Sequence, residues 1–147
     1  MLKKIIFLVL LLIPFALLIS STQKNTSKKI AGNKLQQSKM AGEKVFKKYC
    51  VTCHMADGGG VPRLNPPLIQ TSYVLGDKEE LIKIILNGFD KNVEIEGETF
   101  TNKMPQLKTI LKDQQIADVL TYIRSSFGNK ASAVTAAEVK AVRSKNK

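Results

Sequence analysis

Apolar residues recur at helical spacing in three stretches of the chain. Ala41, Val45, Phe46 and Tyr49 share one face of a helix from about Lys39 to Tyr49, with Ser38 placed to cap it. Leu81, Ile82, Ile85 and Leu86 form the stripe of a second helix, about Lys78 to Asn87. Asp77 precedes it and Glu80 stands three residues on, the spacing of a capping box. Gly88 suits its end. Ile116, Val119, Leu120, Ile123 and Phe127 give the strongest amphipathic pattern and predict a third helix from about Asp113 to Phe127, stopped by Gly128. Between the second and third helices, Val93 to Phe100 alternates apolar and polar around Gly97, the pattern of a short hairpin.

Outside these stretches the pattern changes twice. Ile5 to Ile19 is an apolar run broken only by Pro14, preceded by Lys3 and Lys4 and followed by Ser20, Ser21 and Thr22. A spanning helix needs roughly 20 apolar residues, so residues 1–21 read as a cleaved secretory signal, with an uncleaved membrane anchor as the alternative. Gln23 to Ser38 is polar and Lys-rich, and residues 22–38 read as a flexible linker. Residues 129–147 are small, polar and basic and read as a C-terminal tail, with a weak helical signal through Ala136, Val139 and Val142. The folded unit is therefore expected over 39–128. It is all-α in class, with three or more helices and a small core.

Charge sharpens this division. The chain has 147 residues and a formal net charge of +11. Met40 to Gly128 carries 11 basic and 11 acidic side chains, so the folded part is formally neutral. The first 39 residues contribute +7 and the last 19 contribute +4. A nucleic-acid binder carries its basic footprint on the folded domain, so that class is excluded. The tails read as solvated, with an anionic membrane surface or an acidic protein as alternative contacts.

One motif carries chemistry. Cys50-Val51-Thr52-Cys53-His54 is the C-x-x-C-H pattern of covalent haem attachment. On a helical turn, positions i, i+3 and i+4 share a face. Two thiols can then add to the two vinyl groups of a porphyrin while the adjacent imidazole reaches the iron. A redox dithiol, a disulfide and a zinc site compete for the same cysteines. No βαβ pattern surrounds the motif, a disulfide over so short a loop would stabilise little, and zinc would need a carboxylate beside the two cysteines and the lone histidine.

A six-coordinate iron needs a second ligand from the opposite face. With one histidine in the chain, methionine is the alternative, at positions 1, 40, 55 or 104. Met1 lies in the leader, Met40 lies in the first helix, and Met55 adjoins His54. Met104 remains, 50 residues downstream of His54 and followed by Pro105, which restricts its backbone. The competing role for Met104 is to fill a gap in the core. A ligating histidine also needs an acceptor for its other ring N–H. The rigid Pro66-Pro67 segment is placed to offer a carbonyl, and Gly58, Gly59 and Gly60 let the backbone turn closely around a ring.

With these residues in view the chain resembles the class I, single-haem cytochrome c family, of the bacterial haem-domain type. The likeness runs from about Gly42 to Phe127. It rests on Cys50, Cys53 and His54, on Gly42 with Phe46, on Val119 with Tyr122, on Pro66 to Leu68, and on Met104 with Pro105. It implies that Gly42 lets the first and last helices cross closely, and it carries the carbonyl partner of the histidine onto Pro66. The segment Gly58 to Leu68 and the hairpin-like stretch look like haem domains of dehydrogenase and oxidase complexes. The chain has no Trp, although many members place one against a haem propionate.

The resemblance implies a small cytochrome c fold around one covalent haem c, with its iron held by His54 and Met104. The expected function is one-electron transfer outside the cytoplasm, in the periplasm or its equivalent, with no catalysis of its own. The alternatives are a haem subunit of a larger membrane-associated dehydrogenase or oxidase, and a haem sensor or peroxidase-like protein with labile Met104. Redox partners would dock transiently near the haem edge. Lys44, Lys47, Lys48, Lys103 and Lys108 flank the ligand segments and are either steering charges or plain solvated lysines.

Overall fold

The computed structural model describes residues 30–145. The apolar run 5–19, the expected leader and residues 22–29 of the expected linker lie outside them. The chain divides after Gln36 into two units. Of the first, residues 30–36 are described and are helical. The second begins in helix α1 (37–49), followed by α2 (Val51–His54), α3 (Ser72–Leu75) and α4 (Lys78–Asn87). Strands β1 (Val93–Ile95) and β2 (Glu98–Phe100) come next, then α5 (Asp113–Ile123) and α6 (Ala136–Lys145). Helices dominate, as an all-α fold requires.

The α4 helix has the expected bounds. Asp77 Oδ1 accepts from the Glu80 N–H at 2.9 Å, and the Gly88 N–H closes the last turn on Ile84 O. Its stripe of Leu81, Ile82, Ile85 and Leu86 is buried. The hairpin also forms, with Val93 opposite Phe100, Glu94 opposite Thr99 and Ile95 opposite Glu98. Glu96 and Gly97 both take positive φ, 53° and 81°, as a two-residue turn matched to the twist of its strands demands.

Three boundaries differ from the sequence reading. Residues 30–38 are helical, not flexible linker, so Ser38 does not cap α1. Its hydroxyl instead donates to Asp118 Oδ1 on α5. The third helix ends at Ile123, not Phe127. Its last carbonyls are taken by side chains: Ser125 Oγ donates to Thr121 O at 2.8 Å, and Asn129 Nδ2 donates to Ile123 O at 2.8 Å. Phe127 then turns back at φ 55° to stack with Phe46 and Tyr122, at centroid distances of 5.4 and 5.7 Å. Its burial mimics helical periodicity without a helix.

The largest correction concerns residues 129–145, which are no solvated tail. The α6 helix packs on α5 and α4, with Val134, Val139 and Val142 buried in the same core as the α5 stripe. Thr135 and Glu138 cap it reciprocally: the Glu138 N–H donates to Thr135 Oγ1, and the Thr135 N–H donates to Glu138 Oε2. The basic side chains do structural work. Arg143 pairs with Asp113 at 2.6 Å and donates to the carbonyls of Lys108 and Leu111. Buried Arg124 donates to the carbonyls of Val74, Gly76 and Ser132, tying α3 and α5 to the segment before α6.

The α1 and α5 helices touch at Gly42. A Cβ there would lie 2.0 Å from Asp118 O and 2.8 Å from Tyr122 Cβ, so only glycine permits this approach. The close helix pair positions Cys50, which follows α1 directly.

Candidate functional site

Cys50 ends the α1 segment, and its carbonyl starts the next turn. The N–H groups of Cys53 and His54 donate to Cys50 O at 3.1 and 2.9 Å, so α2 presents Cys50, Cys53 and His54 within one turn. Cys50 is buried and Cys53 exposed, and the two thiols are not bridged. Burial first, then the neighbouring Cys53, pushes the Cys50 thiol up to about 11. Met55 leaves the helix at φ 61°, and its side chain is exposed.

The chain then folds back beneath the histidine. The Gly60 N–H donates to His54 O, Val61 and Asn65 form an antiparallel bridge, and the Leu68 N–H donates to Gly58 O at 2.7 Å. A Cβ on Gly60 would lie 2.3 Å from Asn65 O and 2.7 Å from Pro66 O, and one on Gly58 would enter the Phe127 ring. Gly60 thus lets the proline segment approach, and Gly58 makes room for Phe127. His54 Nδ1 lies 3.0 Å from Pro66 O. A carbonyl only accepts, so Nδ1 carries the proton and Nε2 keeps its lone pair. Burial holds the imidazole below its ordinary value of 6.5 and the Pro66 bond opposes this; the net shift favours the neutral ring.

Met104 is fixed by other means. The Met104 N–H donates to Phe89 O at 2.8 Å and the Phe89 N–H returns to Met104 O at 2.9 Å. Gly88, at φ 75°, makes room for it: a Cβ there would sit 2.4 Å from Met104 O. The Leu107 N–H bonds to Ile85 O just beyond. Met104 is thus strapped to the C-terminal end of α4. The sequence reading took Gly88 as a helix stop alone; this second role depends on a strand arriving from 16 residues downstream.

All five expected site residues, Cys50, Cys53, His54, Pro66 and Met104, line one cleft with about 1170 Å³ of empty space, its open mouth included. Leu68, Val74, Leu81, Ile85, Leu120 and Ile123 give it an apolar wall. Tyr49, Asn65, Thr71, Tyr73, Asn102 and Lys103 are polar residues of its lining that the sequence pattern assigns to no site, apart from Lys103 as a surface charge. Of the other lysines singled out, Lys47 pairs with Glu43 at 2.6 Å and Lys48 lies over the Tyr49 ring.

The donor set suits a flat apolar cofactor better than a bare ion. Among the described residues no three His, Cys, Asp or Glu side chains converge as zinc would require. Two thiols on one helical turn, a neutral imidazole with a free Nε2 and a thioether lining the same cleft match what a thioether-linked haem needs.

Comparison with known proteins agrees. The chain is 38% identical over 104 residues to the cytochrome c subunit of a quinone alcohol dehydrogenase of Gluconacetobacter polyoxogenes, covering 69% of this chain and 22% of that protein. It is 36% identical over 105 residues to the gluconate 2-dehydrogenase cytochrome c subunit of Pantoea cypripedii, covering 69% and 24%. It is 33% identical over 113 residues to cytochrome c-552 of Thermus thermophilus, covering 71% and 85%. The chain thus spans about a fifth of the length of the dehydrogenase subunits it matches. Residues 40–127 match the model of the cytochrome c family, and with the cleft and its C-x-x-C-H turn this places the chain in that family, whose members transfer electrons on a covalently bound haem c.

Proposed function

We propose that this chain is an extracytoplasmic one-electron carrier, with haem c bonded through thioethers to Cys50 and Cys53 and its iron held by His54 and Met104. The observation that carries the reading is that His54 and Met104, 50 residues apart in sequence, both line one apolar cleft. When bound, the haem supplies an Fe(III)/Fe(II) couple whose potential is raised by a methionine ligand.

The chain's own residues set the conditions for that couple. Pro66 O accepts the His54 Nδ1 proton, orienting the ring and raising its basicity as a ligand. The Phe89–Met104 bond pair restricts the methionine backbone, so its sulfur is pre-placed. The apolar wall excludes water, and Tyr49, Tyr73, Asn102 and Lys103 are among the polar groups available to the haem carboxylates in a chain without Trp. Redox partners dock transiently at the cleft mouth, through an interface of the small size typical of such encounters.

A second reading, a haem subunit receiving electrons from a separate dehydrogenase chain, is favoured by dehydrogenase subunits among the relatives. Co-purification of a larger catalytic chain from the native host supports it; a free periplasmic protein supports the carrier. The site itself is tested in a haem-competent host. Mass spectrometry should show the polypeptide plus one haem, and His54→Ala should give little stable holoprotein. A mass equal to the bare chain, or normal amounts of native-like low-spin haem in His54→Ala, refutes the assignment.

A further inference from the structure

Pro66 and Pro67 are consecutive, so the backbone that carries the acceptor for His54 has no N–H of its own until Leu68. The Pro66 carbonyl is therefore located by its flanks. Upstream, Asn65 bonds Val61 in both directions. Downstream, the Leu68 N–H donates to Gly58 O, and the Leu68 carbonyl accepts from Asn129 Nδ2 at 2.8 Å.

Asn129 is a concentrated anchor. It is 4% exposed, and both its amide hydrogens are used, one on Leu68 O and one on Ile123 O at 2.8 Å. Its Oδ1 accepts from the Gln70 N–H at 2.7 Å. Gln70 stands at φ 52°, a left-handed conformation that glutamine rarely adopts, and its side chain also reaches Gly128 O. The histidine-side loop is thus held to the end of α5 by one buried amide. That amide lies two residues beyond the family match, in the stretch whose composition suggested a tail.

We propose that Asn129 is a positioning residue for the haem iron: by holding Leu68 and Gln70 it fixes Pro66 O against His54 Nδ1, and so sets the donor strength of the histidine and the midpoint potential. This rests on the assignment of His54 as an axial ligand. The His54–Pro66 separation of 3.0 Å lies at the middle of the N–H···O range, where a few tenths of an ångström change the bond strength. The sign follows. A looser carbonyl leaves the imidazole less basic, a less basic ligand stabilises the oxidised iron less, and the potential rises.

The test uses purified holoprotein with Asn129→Ala, the milder Asn129→Ser, and Thr121→Val as control. Thr121 is also buried and holds the same C-terminal segment, donating to Val134 O at 3.1 Å and accepting from its N–H at 3.0 Å, without a bond to the histidine-side loop. Redox titration should show the potential rising in both Asn129 variants, more in Ala than in Ser. The His54 Nδ1–H, followed by NMR in the reduced state, should exchange at least tenfold faster. Thr121→Val should lose stability with neither readout moved. An Asn129 variant that is merely less stable, or a Thr121→Val shift of equal size, overturns the proposal. If neither Asn129 variant matures, denaturant-dependent exchange in the unaltered protein decides. The Gln70 N–H and the His54 Nδ1–H should open together, and an Nδ1–H that exchanges while Gln70 stays protected overturns it. Failure of the underlying ligand assignment looks different: the unaltered protein would itself lack a low-spin haem dependent on His54.

Discussion

Replacing Gly42 by alanine should destabilise the protein, although helix propensity alone points the other way. Exposed glycine inside a helix costs about 1 kcal/mol relative to alanine, so a propensity argument makes Gly42→Ala stabilising. At this position the new methyl would lie 2.0 Å from Asp118 O, 2.5 Å from Asp118 C and 2.8 Å from Tyr122 Cβ. Ordinary contact begins at 3.4 Å, so α1 and α5 must separate by more than an ångström. The obstacle is backbone, which cannot rotate aside. Separation also loosens Phe46 and Tyr122, whose rings are 5.5 Å apart across the same interface. Overpacking of this kind costs about 1–3 kcal/mol, occasionally more, and a backbone clash belongs at the upper end. After the propensity gain the net loss is about 2 kcal/mol, which lowers Tm by roughly 10 °C in a domain of this size. The assay is guanidinium or thermal unfolding of holoprotein followed by haem absorbance. Gly32→Ala is the control, because a Cβ there meets nothing within 4 Å, and it should be neutral or slightly stabilising. A Gly42→Ala protein as stable as the parent would refute the close-crossing argument.

Three further outcomes are expected. Met104→Ala should leave the haem attached, lower the midpoint potential and let carbon monoxide bind the reduced iron at neutral pH; an unchanged potential would mean a different sixth ligand. Val139→Ala deletes two fully buried methyl groups, a loss of about 2 kcal/mol with its cavity, whereas a solvated tail would show a change within about 0.5 kcal/mol. Glu138 is pushed up by burial, but the Lys78 ammonium and the Thr135 N–H and hydroxyl together hold it below 4.5. Its contribution is therefore present above the unfolded-state value and lost as pH falls through the lower folded value. Glu138→Gln should be less stable than the parent at pH 7, with the difference shrinking in denaturant titrations below about pH 4.5; a constant difference would refute the linkage.

The residues that sequence reading placed well are those whose signal is local. Asp77 with Glu80 brackets the start of α4, and Gly97 marks a turn that two strands of three residues need. The C-x-x-C-H turn was legible for the same reason, since its spacing is the geometry of a single helical turn. The α6 helix has a local signal too, beyond the weak periodicity of Ala136, Val139 and Val142: Thr135 and Glu138 have capping-box spacing.

Local order in the chain therefore dictated where the stripes, the caps and the chemistry-bearing turn lie, because i, i+3 and i+4 relations are complete within a few residues. Which segments join the core was settled by distant partners. Phe127 is half-buried by a turn because it packs on Phe46 and over Gly58, and the basic C-terminus folds because Arg143 meets carbonyls and a carboxylate across the fold while buried Arg124 of the preceding helix end bonds the segment before it. A charge count sees such arginines as solvated; a desolvated guanidinium is tolerated only when acceptors surround it, and apart from Ser132 O those acceptors come from residues 30 to 50 positions away.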